Sequence, residues 1–167
     1  AERPFAAVTD SGAPEGKKYF LFYDPPFYEK LQIAESPYKA AARIGAGLIK
    51  NEIPTIFFAR SRNRVEILTT FLRSRLGETL AHKVRGYRGG FLPLERRQVE
   101  RALREGQCLG VVSTNALELG IDIGALSAVV SIGYPGRLSS LYQQFGRAGR
   151  KKEPALAVLI ASPSALD

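Results

Sequence analysis

The sequence contains one cysteine, Cys108, one histidine, His82, and neither methionine nor tryptophan. A lone cysteine excludes an internal disulfide and a cysteine-based zinc site, because both require several thiols. A lone histidine leaves little material for a serine–histidine pair or for histidine metal ligands. We therefore predict no metal site and no disulfide partner. We interpret His82 as a surface residue and Cys108, which opens an apolar run, as a small core residue.

Long hydrophobic runs are missing as well. No apolar stretch reaches the roughly 18 residues that a membrane-spanning helix needs. The start of the sequence, A-E-R-P-F-A-A-V-T-D, lacks the apolar core of a signal peptide. We interpret the protein as cytoplasmic, with no membrane partner. More arginine than lysine, together with the missing methionine, is our only indication of a bacterial or archaeal, thermophilic source.

Acidic residues are in the minority. The chain of 167 residues carries 24 Lys and Arg against 16 Asp and Glu, for a net charge of +8 and a pI near 9.8. Two interpretations stay open at this point: a solvated basic surface, and a surface that contacts nucleic-acid phosphates. The length is that of one domain with its own hydrophobic core.

Apolar and helical patterns alternate along the chain after an irregular lead-in at 1–18. The patterns predict strands at 18–26, 55–59, 83–87, 108–113, 128–132 and 155–161, the first of them stopped by its two prolines. They predict helices at 37–50, 62–76, 93–105 and 139–145, with a connector at 27–36. Strand–helix alternation of this kind predicts an α/β domain over 19–167, with a mostly parallel sheet of about six strands flanked by helices. We interpret Gly45 and Gly47 as sites of close helix packing.

Groups that can bind phosphate follow three of the predicted strands. They are Arg60 and Ser61, Arg88 and Gly89, and Thr114 and Asn115. In a parallel sheet these carboxyl ends share one edge, where ligands bind. Guanidinium, hydroxyl, amide and glycine N–H groups there could hold a nucleic-acid backbone. The alternative for Ser61 and Thr114 is that each only caps a helix or turn.

Three longer motifs resemble those of superfamily 2 helicases, in that family's order. T-I-F-F-A-R-S-R at 55–62 looks like motif IV, S-T-N-A-L-E-L-G-I-D-I at 113–123 like motif V, and Q-Q-F-G-R-A-G-R at 143–150 like motif VI. The resemblance implies the second, C-terminal RecA-like domain of a helicase, a three-layer fold. Y-R-G-G-F-L-P and G-Y-P-G are similar to a narrower DEAH-box group, the mitomycin repair factor A type and its fungal RecQ-like repair relatives.

The resemblance also implies residue roles. Arg147 and Arg150 match the motif VI arginines, which reach across a cleft to the triphosphate; a guanidinium suits this because it is planar and always charged. Gly120 and Asp122 match the motif V pair near the nucleotide sugar, and Gln143 lies in an ATP-contacting position. Thr114 matches a hydroxyl that touches a strand phosphate.

Several of these positions have simpler alternatives or depart from the family pattern. The two arginines could instead cap the helix that precedes them, where cations are favoured. Asp122 could be a turn residue before Gly124. Gln143 and Gln144 stand where many relatives have histidine and arginine, and Glu118 replaces an arginine common in DEAD-box RNA helicases.

Half of a nucleotide site is missing from the sequence. It contains no G-x-x-x-x-G-K-[ST] loop for a triphosphate and no Asp-Glu pair after an apolar strand for Mg²⁺. Gly12–Lys18 differs from such a loop in spacing, and no strand precedes it. We therefore expect that ATP and Mg²⁺ bind only with the first RecA-like domain of a longer chain. The expected partner is single-stranded nucleic acid, DNA rather than RNA.

Two other functions compete with a helicase lobe. One is a nucleic-acid-binding module that uses the same strand ends without a motor. The other is a small-molecule enzyme on a Rossmann-like sheet, which would need a glycine fingerprint after the first strand and an acid–base pair. The sequence shows neither of the features that this enzyme requires.

Overall fold

The computed structural model describes residues 16–29, 33–87, 93–117, 126–149 and 153–162. The elements, in chain order, are β1 (Lys18–Tyr23), β2 (Phe27–Tyr28), β3 (Ile33–Ala34), α1 (Pro37–Lys50), β4 (Thr55–Phe58), α2 (Arg62–Ala81), β5 (Val84–Tyr87), α3 (Pro93–Arg104), β6 (Gly110–Ser113), β7 (Ala128–Ile132), α4 (Leu138–Phe145) and β8 (Ala155–Ile160). A short 3-10 turn, Asn115–Leu117, follows β6.

Six of the strands form one sheet in the order β1-β8-β7-β4-β6-β5. Every neighbouring pair in it is parallel. The predicted α/β architecture and strand number are therefore confirmed. The central strands β4, β6 and β7 are buried along their whole length, as expected for strands covered by helices on both faces.

Two hydrophobic layers cover the sheet. On one face, α1 and α2 pack over the ring of Phe57, with Leu68 and Leu72 from α2 fully buried. On the other face, α3 and α4 pack over Ile56 and its neighbours, with Phe145 from α4 almost fully buried. Each fully buried side chain of this size contributes about 1.5–3 kcal/mol relative to exposure. Packing on both faces of the sheet fixes the positions of the strand ends relative to one another.

Helix α1 approaches the sheet closely at one glycine. A Cβ on Gly45 would collide with the ring of Phe57 and lie 2.9 Å from Cδ2 of Leu72. The packing interpretation is confirmed for Gly45. It is wrong for Gly47, where a Cβ would meet no atom within 4 Å because that position faces solvent.

The first strand stops at its two prolines, as predicted. Strand β1 ends at Tyr23, because Pro25 and Pro26 have no N–H to extend the ladder. The connector contains a small antiparallel ribbon, β2 paired with β3. The helix predicted over 62–76 is confirmed in its regular part: Gly77, with a φ of 68° and a ψ of −178°, is not helical, and a short second helical segment follows it to Ala81.

The two scarce residues lie where they were predicted. Cys108 is fully buried just before β6, and His82 is exposed at the C-terminal cap of α2. Within the described ranges, no cluster of His, Cys, Asp and Glu could hold a metal ion. In the same ranges, no helix combines the length and apolarity needed to cross a membrane.

Candidate functional site

The carboxyl ends of β7, β4 and β6 lie side by side at one edge of the sheet. Phe58, the last residue of β4, is in register with Ser113 at the end of β6 and with Ser131 in β7. Neighbouring strands are about 4.8 Å apart, so the residues that directly follow these strands lie next to one another along the edge of the sheet. The structure thus brings the Arg60–Ser61 and Thr114–Asn115 pairs together at this edge, as the sequence predicted.

Ser61 and Thr114 both cap local structure. Ser61 is the N-cap of α2, with extended backbone, and its Oγ accepts from the Arg64 N–H at 3.4 Å. Thr114 Oγ1 accepts from the Ala116 N–H at 3.4 Å, at the start of the 3-10 turn. The capping interpretation is confirmed for both. Since a hydroxyl that accepts a hydrogen bond still has its own O–H to donate, each could also bind a phosphate oxygen.

Arg60 spans the gap between β4 and β7. Its Nη2 donates to the carbonyl oxygen of Tyr134 at 3.0 Å. Beneath the guanidinium lies Gly133, which has a φ of 76°; a Cβ there would be only 2.8 Å from Nε of Arg60. Gly133 and Tyr134 are therefore site residues that sequence reasoning missed. The signal for them in the sequence is the G-Y-P-G that follows β7.

A pocket of about 370 Å³ opens at these strand ends. Its lining includes Arg60, Asn115, Tyr134, Ser140 and Gln144. At its base the buried Ser131 hydroxyl donates to Oε1 of the buried Gln144 at 2.7 Å. This hydrogen bond ties α4 to β7. The pocket combines a guanidinium, an amide and a hydroxyl in one concave surface.

Helix α4 positions the motif VI residues. Leu141, Gln144 and Phe145 face the core, while Gln143 is exposed. The chain then leaves the helix through Gly146, and the half-buried Arg147 follows at once.

The helix end is held from two directions. The backbone N–H of Arg147 donates to the backbone carbonyl oxygen of Gln144 at 3.0 Å. Lys18 Nζ donates to the backbone carbonyl oxygen of Phe145 at 3.2 Å, so a lysine from β1 binds one of the C-terminal carbonyls of α4. Gly149, the last residue of this described range, has a φ of 89°, in the left-handed region.

Five of the predicted site residues lie outside the described ranges. They are Arg88, Gly89, Gly120, Asp122 and Arg150. Glu118, the noted departure from the DEAD-box pattern, lies outside them too. Of the predicted site, the structure therefore describes Arg60, Ser61, Thr114 and Asn115 at the strand ends and Gln143 and Arg147 on and after α4.

Comparison with known proteins identifies clear relatives. The helicase conserved C-terminal domain matches residues 40–152. The ATP-dependent helicase YprA of Bacillus subtilis is 48% identical over 167 residues, which is 99% of this chain and 22% of that protein. The ATP-dependent helicase hrq1 of Schizosaccharomyces pombe is 39% identical over 96% of this chain and 16% of its own length. This chain thus spans about a fifth of the length of these relatives.

A solved structure shows the same fold. The DUF1998 helicase MrfA, crystallised with DNA and AMPPNP, superposes with a TM-score of 0.87 at 47% identity. The match covers 97% of this chain and 23% of that one. The expected RecA-like fold is confirmed, as is the resemblance to this group of helicases.

Proposed function

Because this chain belongs to the family of helicase conserved C-terminal domains, we propose that it is the second motor lobe of a longer ATP-dependent helicase that acts on nucleic acid. Two relatives that align along nearly all of the chain bear the name ATP-dependent helicase. The sequence has no loop for a triphosphate and no carboxylate pair for Mg²⁺. A first RecA-like lobe, elsewhere in the longer polypeptide, would supply both.

One observation carries this proposal: β4 and β6 end side by side at the same edge of the sheet. Arg60, Ser61, Thr114 and Asn115 meet there, and all but the half-buried Thr114 are exposed. Together they offer guanidinium, hydroxyl and amide donors and no carboxylate. Such a set fits the phosphate backbone of one strand and reads no base, since phosphate contacts carry no sequence information. Arg88 and Gly89, which follow the neighbouring β5 in sequence, would add further contacts to the phosphates of the same nucleic-acid strand.

DNA is the nucleic acid that we propose. MrfA, with 47% identity, was crystallised with DNA. The net charge of +8 favours any polyanion, so charge alone does not distinguish DNA from RNA. A single strand is the form that we propose, because the line of donors follows one edge of the sheet.

The nucleotide side of the site would use residues from motifs V and VI. Arg147 and Arg150 would reach the phosphates of ATP held by the first lobe, where their charge stabilises the negative charge that develops during phosphoryl transfer. Gln143, exposed on α4, would contact the same nucleotide, with Gly120 and Asp122 near its sugar. Bound ATP with Mg²⁺ supplies the phosphoanhydride whose hydrolysis drives the motor.

Closure of the two lobes would couple both halves of the site. It would bring the arginines to the phosphates and shift the strand-end residues along the nucleic acid by the same motion. The rigid sheet supports this coupling, because the Gln144–Ser131 hydrogen bond links α4 to β7 and Arg60 links β4 to the loop after β7. The 167-residue chain alone is expected to hydrolyse no ATP.

The test is single-stranded DNA binding by this chain at several salt concentrations. Arg60→Ala is expected to weaken binding and to reduce the dependence of log affinity on log salt by about one phosphate contact. Arg75→Ala is the matched control, because it removes the same charge from an exposed position about 20 Å further along α2. Equal effects of the two substitutions would show that only overall charge matters, and the strand-end interface would be wrong.

A further inference from the structure

Exposed apolar side chains cluster in one region of the domain. Ten large apolar or aromatic side chains are exposed in the described part of the chain, and seven of them lie in β1, β2 and β3. They are Tyr19, Phe20, Leu21, Phe22, Phe27, Tyr28 and Ile33. Single exposed apolar residues are common on protein surfaces, but four consecutive ones, Tyr19 to Phe22 of β1, mark a candidate interaction site.

Among the described residues, β1 is an edge strand without the usual protection of edges: it pairs with β8 on one side only and ends the sheet. Its sequence, K-Y-F-L-F-Y, contains no proline and no charge except Lys18 at its start. Even that charge is turned inward, since Lys18 Nζ donates to the Phe145 oxygen. Natural sheet edges are normally guarded by proline, charge or a covering element.

An apolar groove continues this surface toward the strand ends. Phe20 and Phe22 share the face that bears α4, because the Phe20 ring lies 5.7 Å from the Phe145 ring and side chains alternate along a strand. Beside Phe22, which is 71% exposed, lies a groove of about 220 Å³. The groove is lined by Phe22, Tyr23, Asp24, Tyr134, Leu159 and Ala161.

The surface is held rigidly in place. Arg43 of α1 donates to the Tyr23 hydroxyl at 2.6 Å and forms an ion pair with Glu35 at 3.2 Å. The same guanidinium lies 5.5 Å from the centre of the Tyr23 ring. These contacts fasten β1 and the end of the ribbon to the body of the domain, so the apolar side chains are presented on a preformed platform.

Charge indicates that protein, and not nucleic acid, covers this surface. Residues 16–36 contain three basic and three acidic residues, Lys17, Lys18, Lys30, Asp24, Glu29 and Glu35. Their net charge is therefore zero, against +8 for the whole chain. Proteins that stack single-stranded bases on aromatic side chains place them in a basic groove, which this region does not provide.

The comparisons indicate where the covering protein comes from. The helicase C-terminal domain match begins at residue 40, so β1 and the ribbon precede the part shared across that family. Relatives that align along nearly the whole chain are several times longer than it is. We propose that β1 and the groove are the docking surface for another domain of the same longer polypeptide, which covers Phe20 and Phe22 with an apolar face. The proposal rests on the proposed function only in assuming that longer polypeptide.

Cysteine labelling tests this directly. The native Cys108 is buried, so a maleimide dye will report only an introduced thiol. In the 167-residue chain, Phe22→Cys is expected to react about as fast as Glu78→Cys, a control at another exposed position. In the longer protein the labelling rate of Phe22→Cys is expected to fall by about tenfold or more, the protection that a closed interface gives. The labelling rate of Glu78→Cys is expected to stay unchanged. Phe20→Cys serves as a second probe if Phe22→Cys fails to fold.

Three results would overturn the proposal. Undiminished labelling of Phe22→Cys in the longer protein would leave the surface uncovered. Protection in the 167-residue chain that grows with protein concentration would identify a second copy as the occupant. Protection that appears only with single-stranded DNA would make this a nucleic-acid surface. Labelling needs no ATP. The docking proposal can therefore be wrong while the motor function is right, and the motor function can be wrong while the docking proposal is right.

Discussion

The guanidinium of Arg60 lies over Gly133, near enough that a single methyl group on that glycine would be 2.8 Å from Nε. The contact joins the segments that follow the neighbouring strands β4 and β7, and it aims Arg60 at the Tyr134 carbonyl. A glycine at this point thus serves two purposes. It permits the left-handed backbone after β7, and it leaves room for the arginine.

Gly133→Ala is therefore expected to weaken single-stranded DNA binding, because the new Cβ displaces Arg60 from the strand-end edge. The measurement is DNA affinity by fluorescence anisotropy. Gly136→Ala is the control: its φ of 86° brings the same backbone penalty, but a Cβ there would meet nothing within 4 Å. Both variants are expected to lose about 1–2 kcal/mol of stability. Normal DNA binding by folded Gly133→Ala would show that Arg60 does not depend on this glycine.

Much of this edge was predictable from sequence, because each strand is followed directly by its own polar residues. Alternating strands and helices predict a parallel sheet, and parallel strands end at one edge. The sequence therefore indicated that Arg60 and Thr114 would lie at the same edge of the sheet. Their capping roles were predictable for the same reason, since each contact is made within three residues of the side chain.

The rest depends on contacts between distant residues. Arg60 meets Tyr134 across 74 positions of sequence, and no local pattern reports which strands become neighbours. The ribbon of β2 and β3 was not predicted either, because two strands of two residues each are too short to show an alternating pattern.

Motif VI allows a prediction about turnover in the longer protein. Arg150→Ala is expected to lower ATP hydrolysis by about 10³-fold or more, the scale of arginine fingers in other phosphoryl-transfer enzymes. ATP binding should change far less, because the charge is needed chiefly when the lobes close. Arg150→Lys should restore little, since an ammonium lacks the planar fork. Steady-state hydrolysis and nucleotide binding are the two measurements.

Arg137→Ala provides the matched loss of charge for this experiment. Arg137 is exposed at the N-cap of α4, outside motif VI, so hydrolysis should stay near that of the wild type. Near-normal turnover of Arg150→Ala would end its assignment as the finger. Arg147, at the other end of α4, would then be the residue to substitute next.

Two glycines of α1 give opposite predictions for stability. Gly45→Ala is expected to destabilise the domain by about 1–3 kcal/mol, because its Cβ collides with the Phe57 ring in a close-packed core. Gly47→Ala is expected to stabilise it by about 0.5–1 kcal/mol, because alanine is the better helix former and the site is open. Urea unfolding measures both. Equal changes would show that α1 does not press on Phe57.

The buried thiol of Cys108 predicts how stability depends on pH. Burial raises the pKa of Cys108 from 9.0 to about 11, because a thiolate is poorly solvated beside the apolar residues at the start of β6. The unfolded chain, with its thiol in water, ionises at the lower pH. Folding therefore keeps this thiol neutral between about pH 9 and pH 11, while unfolding releases its proton.

It follows that the contribution of Cys108 to stability is complete below pH 9 and is lost as the pH rises toward 11. A shift of this size corresponds to roughly 2–3 kcal/mol at most. Cys108→Ala removes the titrating group, so its free energy of unfolding should fall less steeply above pH 9 than that of the wild type, whatever its value at pH 7. Urea unfolding of both proteins across this range isolates the difference, since their lysines and tyrosines are the same. Parallel pH profiles would mean that the thiol ionises equally in both states, contrary to its burial.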